Sequence, residues 1–304
     1  MGTTKFVTFF LVLVIWSVKL QAQPIAPFVS FDIDWVTFYT LQPGQPLPQG
    51  ERYDVMYDQK TYIPTPHLRE VVRVLLNYGF QLGFISGGNK QRNELLLRAY
   101  KIDGHRTLAD VSKILSAHDL FEVPGVSPNA LFSNRFKKDL SKYGHPISHI
   151  AHIDDLPFFA FNKEQAKSFI TLLSTYVFVD GARELELQRV SPKSYRPEYF
   201  PPSHEAAAFE QGKLLFVLGL ILEAHDSWKK VGGTFQEHVY RRSHNESGEP
   251  LWRESPEALQ YYQRGITEVE KISHRASFSL IYLKNLLRKQ SSSRLSCGNR
   301  FTGS

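Results

Sequence analysis

Two aspartates, Asp32 and Asp34, stand one residue apart in the stretch FVSFDIDWV, and a second acidic pair, Asp154 and Asp155, ends the stretch HIAHIDD. Between them in sequence come a hydroxyl beside two glycines, Ser86 in LGFISGG, and three closely spaced lysines, Lys137, Lys138 and Lys142. Together these residue types make a complete set for phosphoryl transfer. A carboxylate can attack phosphorus and form an acyl phosphate. A second acid can protonate the leaving oxygen and then activate water. Lysine and backbone N–H groups neutralise the phosphoryl oxygens. Mg²⁺ takes oxygen ligands and keeps waters and substrate oxygens in its shell, and it would screen the carboxylates from one another.

Residues this far apart act together only if the fold delivers them to one edge. Along a strand, positions i and i+2 share a side. Two carboxylates so placed repel each other and resist burial, so Asp32 and Asp34 belong at a solvated strand end or beside a cation. From Phe28 to about Asp180 the chain alternates strand-like and helix-like pieces. FVSFDID, FQLGFISGG, ISHIAHIDD and TYVFVDG read as strands, with ALFSN as a short one. TPHLREVVRVLLNYG carries Leu68, Val71, Val72, Leu75 and Leu76 at helical spacing and stops at Gly79. KQRNELLLRAY, TLADVSKILSAHDLF and NKEQAKSFITLLS read as further helices. The alternation predicts an α/β, three-layer, Rossmann-like parallel sheet with helices on both faces. Ligands of such sheets sit outside the carboxyl ends of the strands, where Asp32, Asp34, Ser86, Asp154 and Asp155 would all fall. The Pro-, Gly- and Tyr-rich residues 37–64 read as a loop or small hairpin overhanging that edge. His149 and His152 alternate just before the second acidic pair. That spacing suits either a metal pair or, more commonly inside a sheet, hydrogen-bonded core histidines.

The two ends differ from the middle. Lys5, an apolar run, Lys19 and the small residue Ala22 describe a secretory signal peptide over 1–22, with a membrane anchor as the rival. That predicts a secreted or periplasmic protein with no stable membrane insertion after cleavage. Residues 23–200 are expected to form the catalytic domain. After the proline-rich connector RVSPKSYRPEYFPPS, residues 201–290 read as an α-helical C-terminal extension, a core, a lid or a partner surface. Residues 291–304 read as a disordered tail. The apolar run LLFVLGLIL is too short to span a bilayer and predicts a core helix. The net charge of +6 has no clustered basic stripe, which argues against a nucleic-acid partner. The single cysteine, Cys297, excludes an intramolecular disulfide.

These motifs, in this order, resemble the haloacid dehalogenase superfamily over about Phe28 to Gly181. A hydrophobic strand followed by Asp-x-Asp is matched by FVSFDIDWV, a strand ending in Ser or Thr by LGFISGG, and a strand ending in two acids by HIAHIDDLP. The segment Lys138–Pro157, KDLSKYGHPISHIAHIDDLP, is similar to the corresponding stretch of phosphatases that act on the C-terminal domain of RNA polymerase. Trp35 and Val36 stand where those phosphatases carry Glu-Thr, so the similarity is to the wider superfamily. The resemblance implies Asp32 as nucleophile and Asp34 as general acid/base, with its carbonyl on Mg²⁺. It further implies Ser86 and Gly87 around the phosphoryl group, Lys138 as the site lysine, and Asp155 completing the metal shell with Asp154 alongside. Trp35 is expected beside the site or on the phosphorylated substrate. The activity implied is a Mg²⁺-dependent phosphatase. The alternative is a non-catalytic secreted protein of the same fold, acting through its helical extension.

Overall fold

The computed structural model describes residues 25–41, 55–172, 203–251 and 255–272, together with Lys284, Asn285 and Leu287. The N-terminal segment 1–22, the strand expected at TYVFVDG, the proline-rich connector, Cys297 and the tail lie outside the described residues.

In chain order the strands are β1 (Phe28–Asp32), β2 (Phe38–Leu41), β3 (Val55–Tyr57), β4 (Lys60–Pro64), β5 (Gln81–Ile85), β6 (Ser112–Leu115), β7 (Phe121–Glu122), β8 (Phe136–Lys137), β9 (Ile150–Asp154) and β10 (Phe169–Thr171). The helices are α1 (Leu68–Asn77), α2 (Lys90–Ala99), α3 (Phe132–Arg135), α4 (Lys163–Ala166), α5 (His204–Gln211), α6 (Lys213–Val231), α7 (Phe235–Ser243) and α8 (Leu259–Ile272).

Five strands form a parallel sheet in the order β10-β9-β1-β5-β6. β1 is central and buried along its whole length. The chain first builds outward from it on one side through β5 and β6, then crosses over to place β9 and β10 on the other. β1 therefore flanks the point where strand order reverses, which is where open α/β sheets bind ligands.

Alternation along these strands sorts the core into two layers. Val29 and Phe31 of β1, with Leu82, Phe84, Ala151, Ile153 and Ile170, share one apolar cluster with α1, α2, α6, α7 and α8. Phe28, Ile85, Ile150 and Phe169 point the other way. They are covered by Leu120, Leu140 and Tyr143, carried on single 3-10 turns and loops rather than on long helices. Ser30 and Asp32 share the parity of Phe28, and His152 and Asp154 share that of Ile150. The polar residues of the central strands thus all face this thinner second layer.

Several local expectations are corrected. TLADVSKILSAHDLF is not a helix. It forms a 3-10 turn (Ala109–Val111), the edge strand β6, a second 3-10 turn (Ala117–Asp119) and the start of β7. Leu108, Val111 and Leu115 have helical spacing, but pairing with β5 holds Ser112–Leu115 extended, and Ser116, itself extended, opens a separate 3-10 turn whose capping box Asp119 closes. NKEQAKSFITLLS gives only the four-residue α4 before Phe169 enters β10. ALFSN holds the start of α3 rather than a strand. Residues 37–64 supply a three-stranded antiparallel sheet, β2-β4-β3. Within the helical extension, Gly212 separates α5 from α6.

α6 is buried on nearly every side over Lys213–Leu222 because it is packed among α1, α7 and α8. This accounts for LLFVLGLIL as a core segment. Among the described residues no helix is long and apolar enough to cross a membrane.

Candidate active site

β1 ends at Asp32 and runs directly into a tight turn. Thr37 and Phe38 both donate backbone N–H bonds to the Ile33 carbonyl, at 3.2 and 2.8 Å. Thr37 Oγ1 donates to the Asp32 carbonyl at 2.5 Å. Trp35 sits at the crest with φ 63°, a left-handed conformation that is an outlier for a bulky residue. The turn swings Asp34 out of line with the strand and over the carboxyl edge. Its underside is held from the C-terminal helices, since the buried Lys213 of α6 donates to the Trp35 carbonyl at 2.5 Å. Lys213 also pairs with Glu210 at 3.0 Å, and Glu210 accepts from Tyr39 Oη at 2.5 Å.

The deeper half of the site is a buried charge ladder. Lys138, about 1% exposed, places Nζ 2.9 Å from Asp32 Oδ1 and 2.7 Å from Asp154 Oδ2. Asp154 Oδ2 also lies 3.0 Å from His152 Nε2. His152 Nδ1 is 3.1 Å from Ser30 Oγ, which in turn is 2.7 Å from Tyr143 Oη. Asp154 Oδ1 accepts from Leu156 N at 3.0 Å. Asp32 Oδ1 accepts additionally from Ile33 N at 2.9 Å, while Oδ2 accepts no hydrogen bond among the described residues.

Lys138 outweighs burial at Asp154. Burial works to raise that carboxyl's pKa, but Lys138 and then His152 hold it well below the usual carboxylate range. At Lys138 burial works to lower the pKa, and Asp154 and Asp32 reverse this and hold it above the ordinary lysine value. At Asp32 burial prevails over Lys138 and, helped by the neighbouring acids, raises the pKa. Asp155 is pushed up to about 7, by burial first and then by Asp154. Burial lowers the His152 pKa despite the adjacent Asp154, and with both ring nitrogens engaged by Ser30 and Asp154 this histidine is a hydrogen-bonded core residue. His149 sits apart, with its ring edge against Trp228.

The outer half belongs to Asp34. Arg92 of α2 grips its carboxylate with both arms, Nη1 to Oδ1 at 2.9 Å and Nη2 to Oδ2 at 2.7 Å. Ser86 Oγ donates to Asp34 Oδ2 at 2.8 Å and accepts from Gly88 N at 3.0 Å. Ser86 is therefore not the cap of α2, a role filled by Asn89. Both halves open into one cleft of about 350 Å³ lined by Asp32, Asp34, Arg92, Lys138 and Asp155, with Trp35, Phe132, Leu156 and Phe159 as its apolar walls and Gly87 and Gly88 at its edge.

Every site residue expected from the sequence reaches this neighbourhood. Of the three lysines only Lys138 enters it. Lys137 donates to the Phe158 carbonyl and Lys142 to the Asp119 carbonyl, both at exposed positions. Asp32, Asp154 and Asp155 each offer a carboxylate oxygen, all within 4.8 Å of one another. The Asp34 side chain lies outside that group, which leaves its carbonyl oxygen for the role the resemblance implied. None of the described C-terminal helix residues lines the cleft, so α5–α8 support the site from behind and do not form a lid.

Sequence reasoning misses Arg92 and Lys213. A signal exists for Arg92. It lies in the first turn of α2, where a positive charge opposes the helix dipole, and such a placement calls for a nearby anion. Lys213 carries no such signal beyond Glu210 three residues before it, because the Trp35 carbonyl that it holds comes from the turn after β1.

No protein-family model and no characterised protein sequence matches the chain. Among solved structures, the chain is similar to the RNA polymerase II CTD phosphatase Fcp1 of fission yeast in its beryllium fluoride-bound form, at 16% identity and a TM-score of 0.39, covering 76% of this chain and 74% of that one. A second structure of Fcp1 aligns at 16% identity and a TM-score of 0.37, covering 75% of this chain and 73% of that one. The parallel sheet with its acids at the carboxyl edge, the architecture the sequence resemblance implied, stands on this chain's own strand order and register.

Proposed function

We propose that the chain is a Mg²⁺-dependent phosphatase that cleaves phosphomonoesters through an aspartyl-phosphate on Asp32. One observation carries this reading. Asp32, Asp154 and Asp155 converge within 4.8 Å on a cleft that also holds a buried lysine and a fourth, separately tethered acid, Asp34. The donor set fits a hard divalent cation, being all oxygen and carrying more negative charge than Lys138 neutralises. Asp32 and Asp155, which face the cleft, and the Asp34 carbonyl would hold it, while Asp154 stays with Lys138 and His152. When bound, the cation would offset the charge on the transferring phosphoryl group and on the acids around it.

This chain's residues then divide the work. Asp32 Oδ2 attacks phosphorus while Oδ1 is held by Lys138 and Ile33 N. The bond from phosphorus to the leaving oxygen breaks, and Asp34, carrying a proton, gives it to that oxygen. Asp34 next takes a proton from water as the water attacks the aspartyl-phosphate. The bond to Asp32 breaks, and inorganic phosphate and the original carboxylate result. The basic, apolar, small-residue order of residues 1–22 supports an exported enzyme.

The test is hydrolysis of p-nitrophenyl phosphate. Turnover is expected with Mg²⁺, is expected to vanish with a chelator, and should fall at least about a thousandfold in Asp32→Asn. An Asp32→Asn protein that hydrolyses the ester like wild type would sink the reading.

A further inference from the structure

Asp34 is bound as a substrate phosphate would be. Its two oxygens occupy the guanidinium fork of Arg92 and the hydroxyl of Ser86 together. In this arrangement Asp34 only accepts hydrogen bonds, and so cannot deliver a proton from it. The fork itself is anchored independently of the acid. Arg92 Nε and Nη2 donate to Asn93 Oδ1 at 3.1 and 2.8 Å. Asn93 is fully buried and is fixed by its own bonds to Ser116 Oγ at 3.0 Å and to the Gly88 carbonyl at 3.2 Å. The Arg92 backbone N–H is capped by Asn89 at 2.8 Å. Asp34, by contrast, rides on the turn at Trp35, and its side chain is 31% exposed against 13% for Arg92. Of the two partners, the acid is the one free to leave.

We infer that Arg92 is a phosphoryl-binding residue of this site and that Asp34 is its internal competitor. An incoming phosphoryl group takes the fork and the Ser86 hydroxyl and displaces the Asp34 carboxylate. A phosphate presents two oxygens at a spacing the arginine fork accepts as readily as a carboxylate, and it carries more charge. Exchange of one anion for another keeps Arg92 paired throughout. It also frees Asp34 to take up a proton from solvent water and pass it to the leaving group only once a substrate is seated. The inference rests on the phosphatase reading for its biological sense, but not for its test.

That test is a double-mutant cycle on the affinity of the full chain for inorganic phosphate, measured by calorimetry in Mg²⁺. Arg92→Gln should weaken binding about tenfold or more, since it removes a charge-assisted bidentate contact. Arg92→Lys, which keeps the charge without the fork, should fall between. Asp34→Asn should tighten binding several-fold in the wild-type background and by less than about twofold in Arg92→Gln, because the competitor matters only while the fork is present. Circular dichroism melts confirm that each variant is folded. Equal tightening by Asp34→Asn in both backgrounds would show a plain charge effect and overturn the inference, as would wild-type affinity in Arg92→Gln. If p-nitrophenyl phosphate is hydrolysed but the cycle shows no coupling, the exchange fails and the phosphatase stands. If coupling appears without turnover, the exchange stands and the phosphatase fails.

Discussion

Lys138 lies between Asp32 and Asp154 at 2.9 and 2.7 Å, in a layer where none of the three side chains is more than a tenth exposed. Removing one partner from a buried ionic group leaves uncompensated charge, which costs about 3–5 kcal/mol. Lys138→Gln should therefore lower unfolding stability in urea by about that amount, with Mg²⁺ restoring part of it by occupying the acids. A neutral Lys138→Gln would mean that the acids do not depend on the lysine. Single residues are legible in the sequence where chemistry is concentrated in short motifs. Asp32, Asp34, Ser86 and the acidic pair each lie at a strand end, and Lys138 begins the KDLS stretch. Arg92 is not legible in this way. A basic residue on an amphipathic helix looks like a solvated face until its partner, 58 residues away, is placed beside it.

Among the elements, α6 and α8 make the most intimate helix pair. Gly219 of α6 faces the Tyr261 backbone, and Gly265 of α8 faces the Leu215 backbone, each so closely that a methyl group would overlap a carbonyl oxygen. An ordinary glycine-to-alanine change inside a helix gains up to about 1 kcal/mol. Here neither backbone can give way without separating the helices, so overpacking at about 1–3 kcal/mol should win. Gly219→Ala and Gly265→Ala are each expected to lower the urea midpoint, and a raised midpoint in either would contradict the close approach. The pairing is not legible in the sequence, because it depends on which helix faces which. Residues 107–121 mislead for a related reason. Their apolar spacing serves an edge strand flanked by two 3-10 turns, and only pairing with β5 distinguishes that from a helix. The buried strands β1, β5 and β9 are legible because continuous apolar runs ending in acids or glycines admit few other readings.

For the molecule as a whole, strand order does the positioning. β1 lies in the middle, β5 and β9 flank it, and their carboxyl ends bring Asp32, Ser86 and Asp154 to one edge from segments spread over more than 120 residues of sequence. The C-terminal helices, which the sequence leaves as core, lid or partner surface, extend the apolar layer on the opposite face and brace the turn at Trp35 through Lys213. Everything proposed for this edge depends on Asp32 accepting a phosphoryl group there. Acid quenching during turnover of p-nitrophenyl phosphate, followed by mass spectrometry of the peptides, reads that event itself. One added phosphoryl group is expected on the peptide carrying Asp32, labile to hydroxylamine and missing from Asp32→Asn. Turnover with no phosphoryl group on that peptide, or with one attached elsewhere, would rule out Asp32 as the nucleophile.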